Sequence, residues 1–418
     1  MSPTPSAQKI ESLVREMVFG PNPAASQAQI RKIGEENGLF FASIHDLYGE
    51  IGKKYRGFTV PAMNLRGITY DSAKAVFRAA LKNQVGAFVF EIARSEMEYT
   101  LQSPAEFAAA VMAAGVAEGY RGALFIQADH TQIRRKFYRE TRDQELNSIR
   151  SLIKDAIEAG FYNIDIDAST LVDIEKSDLL DQQEANGMVT AELTRYIRSI
   201  QPPGVMISIG GEIGEIGHSN STVDDLRAFM TRYRSLLPAD LPGISKISVQ
   251  TGTTHGGVVL PDGSIAKVQL DFDTLETLSR LAREEYGMGG AVQHGASTLP
   301  DEMFHIFPQK GTLEVHLATG FQNIIFDSPN FPPDLLKRAQ ADMDVKYASD
   351  KKPGDTAAQF YYRNRKRTFG DLKKDLWQMP AANLAAIMQE LEDRFAFTFS
   401  KLNVVGTKAL VDGIIKRP

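Results

Sequence analysis

The sequence predicts an α/β protein built on a closed (β/α)8 TIM barrel, with helical extensions at both ends. Two observations predict it. Between Phe58 and Pro329, short β-branched or aromatic runs alternate eight times with longer amphipathic stretches, the order that closes a parallel sheet into a barrel. Polar residues then recur at the ends of these runs, where a barrel carries its chemistry. An open doubly wound sheet is the structural alternative, but no GxGxxG follows the first strand.

Residues 1–55 read as an N-terminal helical extension: IESLVREMVF repeats apolar residues at helical spacing, and further helices are expected over Ser26–Asn37 and Phe41–Gly52. Residues 56–329 form the barrel. Its strand and helix pairs begin with FTVPAMNL before DSAKAVFRAALKN, VGAFVFEIA before PAEFAAAVMAAGVAEG, GALFIQAD before NSIRSLIKDAIEAG, and YNIDIDAS before a helix near Ala185–Ile200. They continue with GVMISIGGE before VDDLRAFMTRYRSLL, ISKISVQTG before DTLETLSRLAREEYG, AVQHG before a short helix near Pro300–Ile306, and TLEVHLATG before FQNIIFDSP. After Pro329 the alternation stops. The proline- and charge-rich stretch to about Gln359 suits a partly ordered connection, and residues 330–418 read as a C-terminal helical extension whose long helix covers the barrel or a neighbouring subunit.

With 418 residues, 43% hydrophobic composition and no cysteine, the chain can bury a large core, and thiolate metal sites, disulfides and cysteine nucleophiles are excluded. A net charge of -5 argues against nucleic acid as a partner, and the run RNRKR at 363–367 reads as a solvated face. The N-terminus lacks a basic start followed by an apolar core, and no apolar run is long enough for a membrane span, so a soluble cytoplasmic protein is expected.

Metal ligation must then use His, Asp and Glu. Three histidines stand where strand-like runs give way to loops: His130 in QADHTQ, His255 in TGTTHGG and His294 in VQHGAS, at the third, sixth and seventh strands. Neutral imidazoles suit a divalent cation with an open coordination position; the alternative is three histidines satisfied at loop starts. Asp167 and Glu212 hold the matching places on the fourth and fifth strands, as further metal ligands, mouth ion-pair partners or both. Asp129 directly precedes His130. Strand neighbours point to opposite faces, so both face the site only if the backbone turns there; Asp129 is then a general acid/base or a carboxylate orienting a histidine. Glu215 shares the loop after the fifth strand and reads equally as a second proton shuttle or an exposed acid. His316 has the strand parity of Glu314 and Ala318, so it is expected to face the site without a metal bond. Glycines beside His255 and His294 let backbone amides approach an anion.

Together, QADH, IDIDAS, GEIGEIG, GTTHGG, HGAS and LATG occur in an order that resembles the class II, zinc-dependent aldolases of the fructose-bisphosphate and tagatose-bisphosphate type, from VPAMN to about Asp327. The resemblance implies zinc, or another divalent cation, on His130, His255 and His294, with Asp167 and Glu212 able to hold it in an alternative position and a monovalent cation as an option. It implies proton transfer at the substrate C4 hydroxyl by Asp129, and a dihydroxyacetone phosphate cradle at Gly256, Gly295, Ser297 and Thr319 with Asn64 facing the substrate. The sequence departs from the family at His316, where the family has an asparagine that contacts the ketose, at Gly320, where it has an acid, and at His218, Ser219 and Asn220. The expected function is a lyase that reversibly cleaves a ketose phosphate or bisphosphate to dihydroxyacetone phosphate and an aldehyde, as a homo-oligomer, dimer or larger. A non-catalytic stabilising subunit of a bisphosphate aldolase, and another metal-dependent sugar-phosphate enzyme on the same barrel, stay open.

Overall fold

The structure, a computed structural model, describes residues 5–214, 219–252, 260–261 and 270–417. Among these residues the sheet has nine strands: β1 (Leu39–Ala42), β2 (Val60–Asn64), β3 (Val89–Ala93), β4 (Gly122–Gln132), β5 (Asn163–Asp167), β6 (Ser208–Gly214), β7 (Lys246–Val249), β8 (Ala291–Gln293) and β9 (Glu314–Leu317). Strands β2 to β9 run parallel, each beside the next in sequence, and the β2–β9 pairing closes the ring. The eight expected alternations thus form the expected (β/α)8 barrel.

Most barrel strands are buried along their whole length, as parallel strands covered by helices must be. The outer helices start and stop on local chemistry. Pro104 opens Pro104–Glu118, the Ser103 hydroxyl accepts from the Glu106 amide, and Gly119 ends the helix in the left-handed region. Thr222 and Asp225 cap Val223–Ser235 reciprocally, and Asp271 caps Phe272–Tyr286.

Two stretches differ from expectation. Residues 39–42, expected to end a turn and begin a helix, form β1, which pairs in parallel with the first half of β4. The Asn163 side chain donates to the Ala42 and Ile126 carbonyls and accepts from the Ile44 amide, locking β1 in line with β5. The expected partly ordered connection contains a regular helix, Pro333–Lys346, in which Pro333 occupies the first turn, where proline's missing N–H is not needed. The long C-terminal helix Ala381–Lys401 packs on its own barrel: Glu392, almost fully buried, pairs with Arg78 and Lys82 of the helix Thr69–Lys82. Among the described residues no helix is long and apolar enough to cross a membrane.

Candidate active site

The C-terminal ends of the barrel strands surround a cavity of about 400 Å³. Asp129 and His130 both line it, although they are neighbours on β4. The backbone supplies the turn this requires: His130 has φ 42°, and the β4–β5 register shifts between Ala128 and Thr131. His294, directly after β8, brings its ring centroid to 4.3 Å from that of His130. His316 on β9 lies 4.1 Å from His294, centroid to centroid.

Donor atoms of Asp129, His130 and His294 lie within 4.8 Å of one another, and so do those of His130, Asp167 and Glu212. Two imidazoles with carboxylates at that spacing are a donor set for a divalent cation, so the residues present fit one. The second group is a crowded one: His130 Nδ1 lies 3.1 Å from Asp167 Oδ2 and 3.2 Å from Glu212 Oε2. Burial and the neighbouring Asp167 charge push Glu212 up to about 7, whereas for Asp167 the His130 contact and hydrogen bonds from Ser169 and Gln132 outweigh burial and lower it. Burial disfavours the His130 imidazolium, but Asp129 and Glu212 outweigh it and raise His130 well above its ordinary value. Ser248 holds His294 Nε2 at 2.9 Å, an outer partner that fixes the ring. Burial also opposes ionisation of Asp129, yet the charges of His130 and His316 prevail and hold its carboxyl well below the usual range.

His316 does face the site, with the parity of Glu314. Its Nδ1 lies 3.1 Å from Asp129 Oδ1 and from Glu91 Oε2, and its Nε2 lies 2.6 Å from Glu314 Oε1. Beneath it Lys246, 1% exposed at the side chain, contacts Asp165 at 3.0 Å and Glu314 at 2.5 Å and donates to Gln127 at 2.6 Å, while the Tyr48 hydroxyl donates to Glu314.

On the other side of the mouth, Ser297 Oγ accepts from the Ala318 amide at 2.6 Å, joining the loop after β8 to the end of β9, where the helix Thr319–Asp327 begins. Gly295 is left-handed, φ 71°, as the turn after His294 requires. A Cβ at Gly320 would stand 2.8 Å from the Ser297 carbonyl oxygen, so this packing leaves no room for the acid that the family resemblance implies. Arg66 reaches this side, 3.4 Å from Thr319 Oγ1 and 2.8 Å from Gln322 Oε1, and Glu96 holds its Nε at 2.7 Å. Asn64 donates to the same Glu96, and its buried Oδ1 has no hydrogen-bond partner among the described residues.

The structure therefore brings together Asp129, His130, His294, Asp167 and Glu212, and places Asn64, Gly295, Ser297, Thr319 and His316 around the same cavity. His255, Gly256, Glu215 and His218 lie outside the described residues. The sequence reading missed Glu91, Asp165, Lys246, Glu314 and Arg66; a charged residue inside an apolar strand, in phase with a mouth residue, was the available signal. It also misplaced RNRKR. Arg363, Arg365 and Arg367 pair with Asp355, Asp327 and Asp350, and Lys366 lines the cavity, because the chain returns across the barrel mouth.

The family profile described as Fructose-bisphosphate aldolase class-II matches residues 52–370. The chain belongs to this family. It is accordingly of the aldolase lyase type, in a family that generally uses a divalent metal. Similar solved structures include the YdjI aldolase from Escherichia coli K12, at 13% identity and TM-score 0.52, covering 88% of this chain and 99% of that one. A fructose-bisphosphate aldolase from Campylobacter jejuni has 16% identity and TM-score 0.52, over 88% and 97% of the two chains. A probable tagatose 6 phosphate kinase from Sinorhizobium meliloti 1021 has 14% identity and TM-score 0.54, over 85% and 93%. At these identities the likeness is one of fold. No curated protein matches the chain in sequence.

Proposed function

We propose that this class II aldolase reversibly cleaves a ketose phosphate or bisphosphate to dihydroxyacetone phosphate and an aldehyde, with zinc as its divalent cation. The observation that carries this reading is the meeting of Asp129 with His130 and His294 in one cavity, opposite Ser297 and Thr319. His130 and His294, with His255, would hold the metal, and Asp167 and Glu212 would offer it an alternative position. Bound there, a divalent cation supplies Lewis-acid stabilisation of negative charge on the triose oxygens.

The remaining work falls to the chain. Asp129 accepts the C4 hydroxyl proton, the C4–O bond becomes a carbonyl as the C3–C4 bond breaks, and the electron pair stays with the triose half. A proton returned to C3, assigned to Glu215, completes dihydroxyacetone phosphate. Ser297, Thr319, Gly295 and Gly256 hold the triose phosphate through hydroxyls and backbone amides, and Asn64 orients the ketose. Arg66, Arg134 and Lys366 also line the cavity, which supports a second anionic group at the far end of the substrate. We assign residues 56–329 as the catalytic domain with extensions at 1–55 and 330–418, and the assembly as a cytoplasmic homo-oligomer.

One observation favours a second reading, the non-catalytic partner subunit: His316 already ties up an oxygen of Asp129. Assaying the full chain with zinc against a panel of ketose phosphates and bisphosphates, by coupled detection of triose phosphate, separates the two. Turnover that disappears in Asp129→Ala supports the lyase. Absence of triose release across the panel supports the subunit.

A further inference from the structure

Beside the histidines of the mouth lies a second ligand group: Glu91, Asp129 and His316 also bring donor atoms within 4.8 Å of one another, and Asp129 belongs to both groups. We infer that the mouth holds a second divalent-cation site, in which Glu91, His316 and one oxygen of Asp129, Oδ1, would bind an ion beside the histidine group, leaving Asp129 Oδ2 for the proton transfer. The inference rests on the proposed reading in one respect, that His130 and His294 hold the first ion.

Three observations carry it. Glu91 is fully buried and lines the cavity, yet its Oε1 has no hydrogen-bond partner among the described residues. A buried carboxyl oxygen left unserved is costly, and native proteins rarely keep one unexplained. Next, Glu91 Oε2 and Asp129 Oδ1 converge on the same atom, His316 Nδ1, at 3.1 Å each. A single ring N–H serves one acceptor well; a cation in that place would be shared by both carboxylates and the imidazole. Third, the compensating charge in this layer is committed elsewhere. Lys246 gives its ammonium to Asp165, Glu314 and Gln127, so the imidazoles of His316 and His130 are the basic groups beside the Glu91 and Asp129 carboxyls, and the Gln127 amide donates to Glu91 Oε2.

The rings of His130, His294 and His316 run in a row at centroid spacings of 4.3 and 4.1 Å, which sets the two groups side by side with the Asp129 carboxylate between them. Two carboxylates and one imidazole select a first-row divalent cation, and the oxygen-rich set suits Mn2+ better than the histidine group does. This departs from the sequence expectation that His316 makes no metal bond.

The test uses the full chain, stripped with a chelator and reloaded with Mn2+. Bound metal is counted after desalting, and low-temperature electron paramagnetic resonance reports whether neighbouring ions couple. Wild type is expected to hold two ions with a spin-coupled spectrum, and Glu91→Gln and His316→Asn to hold one, uncoupled. A wild-type protein that saturates with one ion overturns the inference; if His294→Ala loses that ion, the aldolase reading survives. Two ions retained in Glu91→Gln and His316→Asn also overturn it, because the second ion then binds elsewhere. No bound ion in wild type overturns both readings. The Gln and Asn replacements keep polar side chains at buried positions, and either variant alone locates the second ion if the other fails to fold.

Discussion

The two arcs of the barrel mouth are opposites. Along β4 to β6, Asp129, Asp167 and Glu212 gather around His130, an arrangement stable only with positive charge among them. Along β8, β9 and β2, Ser297, Gly295, Thr319 and Arg66 present hydroxyls, turn amides and a guanidinium. The difference teaches how one ring of strand ends can hold a substrate carrying both oxygen donors and a phosphate: one arc attracts the cation, the other the anion.

Mutation should separate the arcs. His294→Ala should lower metal affinity and, with it, aldol turnover by about 10³-fold, given the several kcal/mol that a divalent cation contributes to charge stabilisation. Metal analysis and kcat on the same sample check this; turnover maintained without metal would merge the arcs' roles. Ser297→Ala should leave metal content unchanged and raise KM for the phosphorylated ketose about 10-fold or more, as loss of a hydrogen bond to a charged group costs about 1.5–3 kcal/mol. A change in metal content instead would place Ser297 on the cation side.

A smaller effect concerns Glu145, which pins two cavity arginines, Arg94 at 2.6 Å and Arg134 at 2.8 Å. Burial opposes its ionisation, but hydrogen bonds from Arg134 and Arg94 lower it from 4.5 to about 2. A depressed carboxyl stabilises the fold fully above its unfolded value, so this contribution is present above pH 4.5 and is lost as pH falls toward 2. Urea unfolding at pH 6 and pH 3 should show Glu145→Gln less stable by roughly 3 kcal/mol at pH 6, because Arg94 is left buried without its partner, and less sensitive to acid. Equal acid sensitivity in the two proteins would remove Glu145 from this role.

Much of this was legible in the sequence. The eight alternations mark the barrel because period-two strands and period-3.6 helices differ over short windows, and strand ends place Asp129, His130, Asp167, Glu212 and His294 at one mouth. Even the left-handed turn at His130 follows from two adjacent residues having to face one site. The buried layer was not legible: Glu91, Lys246 and Glu314 are charges inside apolar strands, and the counter-charges of Lys246 stand 68 and 81 residues away, invisible to local pattern. β1 is only four residues, LFFA, and its pairing with β4 is tertiary. Lys366 was hidden in a basic run whose arginines are individually ion-paired on the structure.

The central claim is that Asp129 moves the proton while the imidazoles hold the metal, and Asp129→Asn tests it most directly. Replacing the carboxylate by its amide should leave the histidine-held ion in place and lower retro-aldol turnover by about 10²–10⁴-fold, the usual worth of a positioned acid/base. Turnover at the wild-type rate, or loss of that ion along with activity, would contradict the account.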